Sequence, residues 1–301
     1  MHFADRLAAA VDQKQTSVLV GLDPREKQLP DAVAPADNSP AGIAAAYKAF
    51  CCGIIDVVAD LVPAVKPQAA FFEQLGPAGC AALADVVRYA RSRNLVVVMD
   101  AKRGDIGSTA MAYASAYLGE SSPWGADALT VNPYLGDDSL TPFVDQATQH
   151  DAGIFVLVKT SNPGGKLFQD LESSGQKIHE YVADHVESLA AQTAGECGYG
   201  VVGAVVGATY PEELAALRER MPHTWFLVPG FGSQGGTAED VMGGYDTSGL
   251  GAIINSSRAI IFAHARPEYE AIGKSDWQRA VEHATRDMIS QLRVGLEDAR
   301  R

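Results

Sequence analysis

Four charged residues directly follow one strand-like segment in the first half of the chain. Residues 95–99 form an apolar, β-branched run, and the next six positions hold Asp100, Lys102, Arg103 and Asp105. Such a run predicts a strand that is buried on both faces. Because side chains alternate along a strand, Asp100 and Lys102 are expected to point the same way. The segment therefore predicts a carboxylate and an ammonium that are neighbours where the strand ends.

A purely structural interpretation of these residues also exists. Asp100 and Lys102 could form an ion pair that only closes a strand, and Asp105 could cap the helix that follows. Taken alone, the segment favours this interpretation. The choice depends on what else the chain places at the same end of the fold.

Composition restricts the class of protein. The chain has 301 residues, of which 47% are hydrophobic and 20% charged, as in an ordinary globular protein. A formal net charge of −13 argues against nucleic acid or an anionic membrane as the partner. The four cysteines form no C-x-x-C pair, so neither a zinc site nor a disulfide framework is predicted. The charged N-terminus does not resemble a signal peptide, and no run is expected to span a bilayer. A cytoplasmic protein is therefore expected.

Strand-like and helix-like segments alternate along the whole chain. The predicted strands are residues 17–22, 64–66, 95–99, 128–131, 154–158, 201–206, 226–228 and 252–254. This alternation predicts parallel βαβ units, and eight of them fit one (β/α)8 barrel, an α/β fold, over residues 1–301. A doubly wound sheet is the alternative, but no G-x-G-x-x-G follows the first strand. Residues 25–40, rich in Pro, Asp and Asn, are predicted to be a surface loop.

Polar residues recur where the predicted strands end. In a (β/α)8 barrel all C-terminal strand ends face one site. Buried parallel strands do not need charges at these ends in order to fold, so their convergence favours an active site. The residues concerned are Asp23, Lys66, Asp100, Lys102, Asn132, Ser161 and Arg258.

A glycine-rich segment follows the seventh predicted strand. Residues 229–236 read PGFGSQGG, and Ser257-Arg258 follows the eighth strand. Many barrels bind phosphate with the loops after strands seven and eight. A guanidinium suits bidentate binding of phosphate. A glycine-rich turn beside one surface arginine is the alternative, and the combination favours a phosphate site.

Three motifs together resemble the orotidine 5′-phosphate decarboxylase family, in particular its longer bacterial (type 2) branch. These are DAKRGDIGST at 100–109, KPQAAFFE at 66–73 and PGFGSQGG at 229–236, and the resemblance extends from Asp23 to Arg258. It implies a lyase that converts orotidine 5′-phosphate to uridine 5′-phosphate (UMP) and CO2. This is the last step of de novo pyrimidine biosynthesis, and it needs no metal and no cofactor.

The resemblance also implies roles for individual residues. Lys66, Asp100, Lys102 and Asp105 would form an alternating catalytic array, in which Lys102 protonates C6. Asp105, with Thr109, would reach into the site of the partner subunit in a homodimer. The remaining implied substrate contacts are Asp23 to the ribose, Ser161 (or its neighbour Thr160) to the pyrimidine, Gln234 and Arg258 to the phosphate, and the adjoining Asn132 and Ser257.

The implied reaction makes chemical sense of this array. Loss of CO2 from C6 of orotate leaves a vinyl-type carbanion with no adjacent carbonyl group to delocalise it. The ammonium of Lys102 can stabilise that charge and then protonate it. The Asp100 carboxylate would lie beside the departing carboxylate, and the flanking cations keep both aspartates ionised.

Three other functions remain as alternatives. Related barrels that act on ketose phosphates use Mg²⁺ and have an acidic residue after strand two, where this chain has Lys66. A Schiff-base aldolase could use Lys66, Lys102 or Lys159 as its nucleophile. A sugar-phosphate-binding barrel without catalysis would show no turnover.

Overall fold

Eight parallel strands close into a barrel in the computed structural model, which describes residues 1–232 and 236–299. Each strand pairs with its neighbours in chain order, and the last pairs with the first, Val18 lying opposite Ile254. The predicted (β/α)8 barrel is confirmed. The strands are β1 (Val18–Leu22), β2 (Ala64–Pro67), β3 (Val96–Arg103), β4 (Ala128–Val131), β5 (Gly153–Lys159), β6 (Val202–Val206), β7 (Phe226–Pro229) and β8 (Ala252–Ser256).

Helices connect the strands and surround the barrel. They are α1 (Phe3–Lys14), α2 (Pro40–Val58), α3 (Ala69–Glu73), α4 (Gly76–Ser92), α5 (Gly107–Tyr117), α6 (Asp137–Gln149), α7 (Lys166–Gln169), α8 (Ile178–Gln192), α9 (Pro211–Arg220), α10 (Ala238–Met242), α11 (Arg258–Ile261), α12 (Glu270–Gly273) and α13 (Trp277–Ala299). The strands are almost wholly buried, because the barrel interior covers one face and the helices cover the other.

Helix α2 illustrates how the sequence starts a helix and buries it. Its N-cap, Ser39, accepts a hydrogen bond from the Gly42 N–H, and Pro40 occupies the first helical position. By length and composition α2 could cross a membrane, so the expectation that no run is apolar enough was wrong. Half of the residues in the most apolar stretch of α2 are buried, and the helix packs against α4 and α13. This packing accounts for its apolar character.

Helix α1 closes the N-terminal end of the barrel. The buried Phe3 ring packs edge-on against Phe155, with ring centroids 6.2 Å apart. A Cβ at Gly153 would lie 2.3 Å from the Phe3 ring, so only glycine fits at the start of β5. Arg6 donates a hydrogen bond to Asp127 at 2.8 Å. Asp127 in turn accepts a hydrogen bond from the backbone N–H of Val97. The end of the barrel opposite the predicted site is therefore closed by apolar packing and by the Arg6–Asp127 ion pair.

The structure differs from the sequence-based expectations mainly in the connections. Residues 25–40 contain two short 3₁₀ helices, at Glu26–Gln28 and Asp31–Val33. The segment after β5 forms a small antiparallel hairpin, Glu172–Ser173 with Gln176–Lys177, before α8 begins. Such short pieces carry too little periodicity to be detected in a sequence.

Candidate active site

Asp100 lies between two lysines at the C-terminal end of the barrel. Lys66, at the end of β2, donates to Asp100 Oδ2 at 2.7 Å, and Lys102 donates to Oδ1 at 2.6 Å. The side chains of Lys66 and Asp100 are 6% and 8% exposed, whereas that of Lys102 is 48% exposed. Lys102 is therefore the most accessible member of this trio.

The two ammoniums determine the charge of the carboxylate. Burial alone would raise the pKa of Asp100, but the charges of Lys66 and Lys102 and their hydrogen bonds hold that pKa well below its usual range. Burial likewise opposes the charged form of Lys66, and attraction by Asp100 and Asp23 outweighs it and raises the lysine pKa. The charge interactions and hydrogen bonds thus outweigh burial and favour an ionised Lys66–Asp100 pair.

Two neutral side chains that the sequence analysis missed complete the surroundings of Asp100. Gln68 donates to Oδ2 at 3.0 Å, and the Thr130 hydroxyl donates to Oδ1 at 3.0 Å. Gln68 lies two positions after Lys66, which was a usable signal. Thr130 was detectable only as a single hydroxyl inside the apolar strand β4.

The trio lines a cavity of about 980 Å³ at the C-terminal strand ends. Asn132 after β4 and Ser161 after β5 line the same cavity, as the sequence analysis expected. The neighbouring Thr160 hydroxyl donates to Asn162 and accepts from Gln169. Because the Thr160 hydroxyl is committed to these partners, the geometry favours Ser161 over Thr160 as a contact for a bound ring.

Arg258, one of the predicted phosphate residues, lies beside a second cavity, of about 430 Å³, near the end of β7. Arg258 and Gly232 line it, and Arg258 is exposed. Ser257 is buried and packs so closely on β1 that a Cβ at Gly21 would lie 1.9 Å from its Oγ. The predicted Gln234 lies outside the described residues.

Among the described residues, Asp23, Asp105 and Thr109 show no side-chain hydrogen bond to the trio. Asp23 Oδ1 is buried without a hydrogen-bond partner among the described residues, close enough to Lys66 to raise its pKa. Asp105 Oδ1 accepts the N–H of Ile106, and Thr109 is exposed on α5. The N-cap of α5 is Ile106, without a side-chain cap, so the helix-capping interpretation of Asp105 is wrong. Within one chain these contacts do not include Lys102.

A second lysine cluster lies at the end of β5. Lys159 is buried and forms ion pairs with Asp170 and, at 3.1 Å, with Glu213. Glu213 also pairs with Lys177 at 3.3 Å, and the ring of His179 lies 3.5 Å from Asp170. Both carboxylates contact the Nζ of Lys159 directly, and its side chain is only 3% exposed. The arrangement therefore disfavours Lys159 as an amine nucleophile.

Comparisons with known proteins agree with the geometry. Residues 16–272 match the model of the "Orotidine 5′-phosphate decarboxylase / HUMPS family". The chain is 55% identical over 300 residues to the orotidine 5′-phosphate decarboxylase of Rhodopirellula baltica, covering 97% of this chain and 99% of that protein. It is 47% identical over 264 residues to the Haloarcula marismortui enzyme of the same name, covering 87% and 88%. The Leishmania donovani OMP decarboxylase structure superimposes with TM-score 0.76, 32% identity and 99% coverage of both chains. The chain belongs to the orotidine 5′-phosphate decarboxylase / HUMPS family.

Proposed function

We propose that this enzyme decarboxylates orotidine 5′-phosphate to UMP without a metal, and that Lys102 is the proton donor. Decarboxylation of this substrate, in pyrimidine biosynthesis, is supported by the family match and by relatives that cover nearly the full chain. The observation that carries the finer mechanism is the Lys66–Asp100–Lys102 trio, in which Lys102 faces the cavity. We also propose a cytoplasmic location, where pyrimidine synthesis takes place.

The proposed proton transfer takes place within this trio. The bond from C6 to the carboxylate breaks, CO2 leaves, and the electron pair stays on C6. The Lys102 ammonium, already hydrogen-bonded to Asp100, stabilises that pair and transfers one proton to C6. The resulting amine then takes a proton from solvent, which its exposure permits.

Asp100 has a second role in this proposal. When substrate binds, its carboxylate lies near the Asp100 carboxylate. Two like charges 4 Å apart repel by about 4 kcal/mol at an effective dielectric constant near 20. Release of neutral CO2 removes that repulsion, so the interaction favours the transition state over the bound substrate. Lys66 keeps Asp100 ionised while this happens.

A divalent metal does not fit the residues present. In the described structure both Asp100 oxygens already accept hydrogen bonds from ammonium groups. The described residues contain no group of three or more His, Cys, Asp or Glu side chains that could hold a metal ion. A cation beside Asp100 would also meet the buried charge of Lys66. We therefore derive no step through Mg²⁺, as the ketose-phosphate branch would require.

The substrate contacts belong to the same proposal. Asn132 and Ser161 would meet the pyrimidine, and Asp23 would bind the ribose. Arg258, with Ser257 and Gln234, would bind the phosphate, because a guanidinium at the glycine-rich end of β7 suits that group. Binding energy from the phosphate, remote from C6, would then support the chemistry at C6.

We further propose a homodimer in which Asp105 and Thr109 complete the partner's site. Asp105 lies just before α5 and Thr109 in its first turn, and Ile106, Met111 and Tyr113 expose apolar side chains nearby. Exposed apolar groups on one helix are typical of an interface. In a symmetric dimer, a residue that reaches across the interface is matched by its counterpart from the other chain.

Decarboxylation followed by ultraviolet absorbance, with and without EDTA, tests the metal-free mechanism. Activity that survives exhaustive chelation supports it. If EDTA abolishes activity and added Mg²⁺ restores it, the protein would instead be assigned to the ketose-phosphate branch. Borohydride with substrate provides the control for an aldolase, because it would trap a Schiff base.

Mixing two inactive variants tests the shared site. Homodimers of Lys102→Ala and of Asp105→Ala should both be nearly inactive. In a mixed dimer one site carries both substitutions and the other carries neither, so co-refolding should restore up to about half of the activity per mixed dimer. Verified mixed dimers that stay inactive would place Asp105 in the site of its own chain.

A further inference from the structure

The last part of β3 is irregular opposite one residue of β4. Met99 pairs with Leu129 and Arg103 pairs with Val131, so three residues of β3 lie opposite Thr130 alone. Lys102, inside this bulge, has φ of +49°, in the left-handed region that L-residues rarely adopt. A bulge leaves backbone groups of the longer strand without their regular ladder partners. Something other than β4 backbone must therefore hold this turn.

The side chain of Thr130 supplies the missing partner. Its Oγ1 accepts the N–H of Ala101 at 3.1 Å and the N–H of Lys102 at 2.9 Å. The same hydroxyl donates to Asp100 Oδ1 at 3.0 Å, which also receives the Lys102 ammonium. One hydroxyl has one proton and two lone pairs, so these three bonds use it completely. Thr130 is 1% exposed, and water does not compete for these bonds.

The chemical identity of residue 130 matters for this reason. Its neighbours in β4, Leu129 and Val131, are apolar and fully buried, and valine would satisfy packing at the same volume. Valine cannot accept the two N–H groups or donate to Asp100. An apolar residue here would leave the two N–H groups of the bulge without this acceptor and would remove one of the hydrogen bonds to Asp100 Oδ1.

We propose that Thr130 is a positioning residue for decarboxylation. Its hydroxyl fixes the backbone of Lys102 and the carboxylate of Asp100 together, so that proton donor and carboxylate keep their relative positions. This inference rests on the roles proposed above for Lys102 and Asp100. Thr130 acts through these residues and needs no contact with the reacting atoms.

Two substitutions at residue 130 and one control test the proposal. Thr130→Val keeps the shape and removes the hydroxyl, whereas Thr130→Ser keeps the hydroxyl. Thr285→Val is the matched control, because Thr285 is also fully buried but donates to Val281 within α13. For each variant, kcat and KM on orotidine 5′-phosphate, the Kd for UMP and the unfolding transition are measured.

We expect Thr130→Val to lower kcat by about 10- to 100-fold, the effect of losing hydrogen bonds to a charged group. Its KM and its Kd for UMP should stay within about threefold of wild type, because a loss confined to kcat marks a transition-state effect. Thr130→Ser should restore most of kcat, and Thr285→Val should leave it unchanged. The UMP affinity shows that the valine variant is folded.

Three outcomes would overturn the proposal. They are a valine variant with wild-type kcat, a serine variant as slow as the valine variant, and a loss that appears in KM and in UMP affinity instead of kcat. Failure of the underlying mechanism is distinguishable, because Lys102→Ala would then retain turnover whatever the result at Thr130.

Discussion

Two buried lysine clusters lie at the same end of this barrel and differ in how their charges are arranged. In the first, one carboxylate, Asp100, binds two ammoniums, those of Lys66 and Lys102. In the second, Lys159 binds two carboxylates, Asp170 and Glu213. The first cluster thus presents an accessible ammonium, that of Lys102, to the cavity where an anionic substrate would lie.

The second cluster connects elements instead. Asp170 follows α7, Glu213 lies in the first turn of α9, and Lys159 ends β5. One buried ammonium therefore ties the connection after β5 to the helix after β6. Burial of a lysine at the C-terminal end of the barrel therefore does not by itself indicate a catalytic role. An accessible ammonium, that of Lys102, distinguishes the cluster that we propose to be catalytic.

Substitution of Lys102 should give the largest effect. Lys102→Ala should lower kcat by at least about 1,000-fold, the upper part of the range for a general acid. The variant should still bind UMP, because the phosphate and ribose contacts lie elsewhere. Steady-state kinetics and UMP titration measure both quantities. Substantial turnover by Lys102→Ala would remove the contrast between the two clusters.

Substitution of Lys159 should instead affect folding. Lys159→Met leaves Asp170 and Glu213 close together without their shared cation, and should lower the free energy of unfolding by about 3 kcal/mol. Its kcat should stay within about tenfold of wild type. Lys177→Met is the matched control, since this more exposed lysine pairs with the same Glu213 and should cost less than about 1 kcal/mol. Urea unfolding compares them, and equal losses would contradict a special role for Lys159.

Arg258 provides a third kind of cation, an exposed one near the glycine-rich loop. Because it is exposed, Arg258→Ala should weaken kcat/KM for orotidine 5′-phosphate by only about 2 kcal/mol, roughly 30-fold. Turnover of orotidine, which lacks the phosphate, should barely change. Arg266→Ala is the control from the same cavity, since Arg266 donates to the carbonyl of Ala259. Equal losses on both substrates for Arg258→Ala would make that arginine structural.

The pH dependence of the free energy of unfolding should be the smallest of these effects. Burial opposes the charge of Asp170, but Lys159 outweighs it, and the pKa of Asp170 is lowered. A carboxyl whose pKa is depressed on folding contributes stability above its unfolded pKa, about 3.9, and loses it as pH falls towards the folded value. The difference in free energy of unfolding between wild type and Lys159→Met should therefore be the same from about pH 5 to about pH 8. It should shrink below about pH 4. A difference that varies near neutral pH would contradict this assignment.

The fold and the centre of the site were both predictable from sequence. The meeting of Asp100 and Lys102 was predicted from strand alternation, but the structure reaches it through a bulge with Lys102 at positive φ. A register shift depends on the facing strand, so neighbouring residues do not reveal it. The role of Thr130 was not predicted for the same reason, because it depends on the register between β3 and β4. The cluster around Lys159 was also invisible, because Asp170 and Glu213 meet it only through tertiary packing.

The closure of the barrel also bears on how the chain is synthesised. Pairing of Val18 with Ile254 joins the first strand to the last. The chain is made from its N-terminus, so one edge of β1 stays without its final partner until β8 has left the ribosome. Unpaired edges are where sheets aggregate, and non-local pairing is slow. A message cut short before β8 would therefore yield an open sheet with two exposed edges, so the barrel can close only after β8 has emerged.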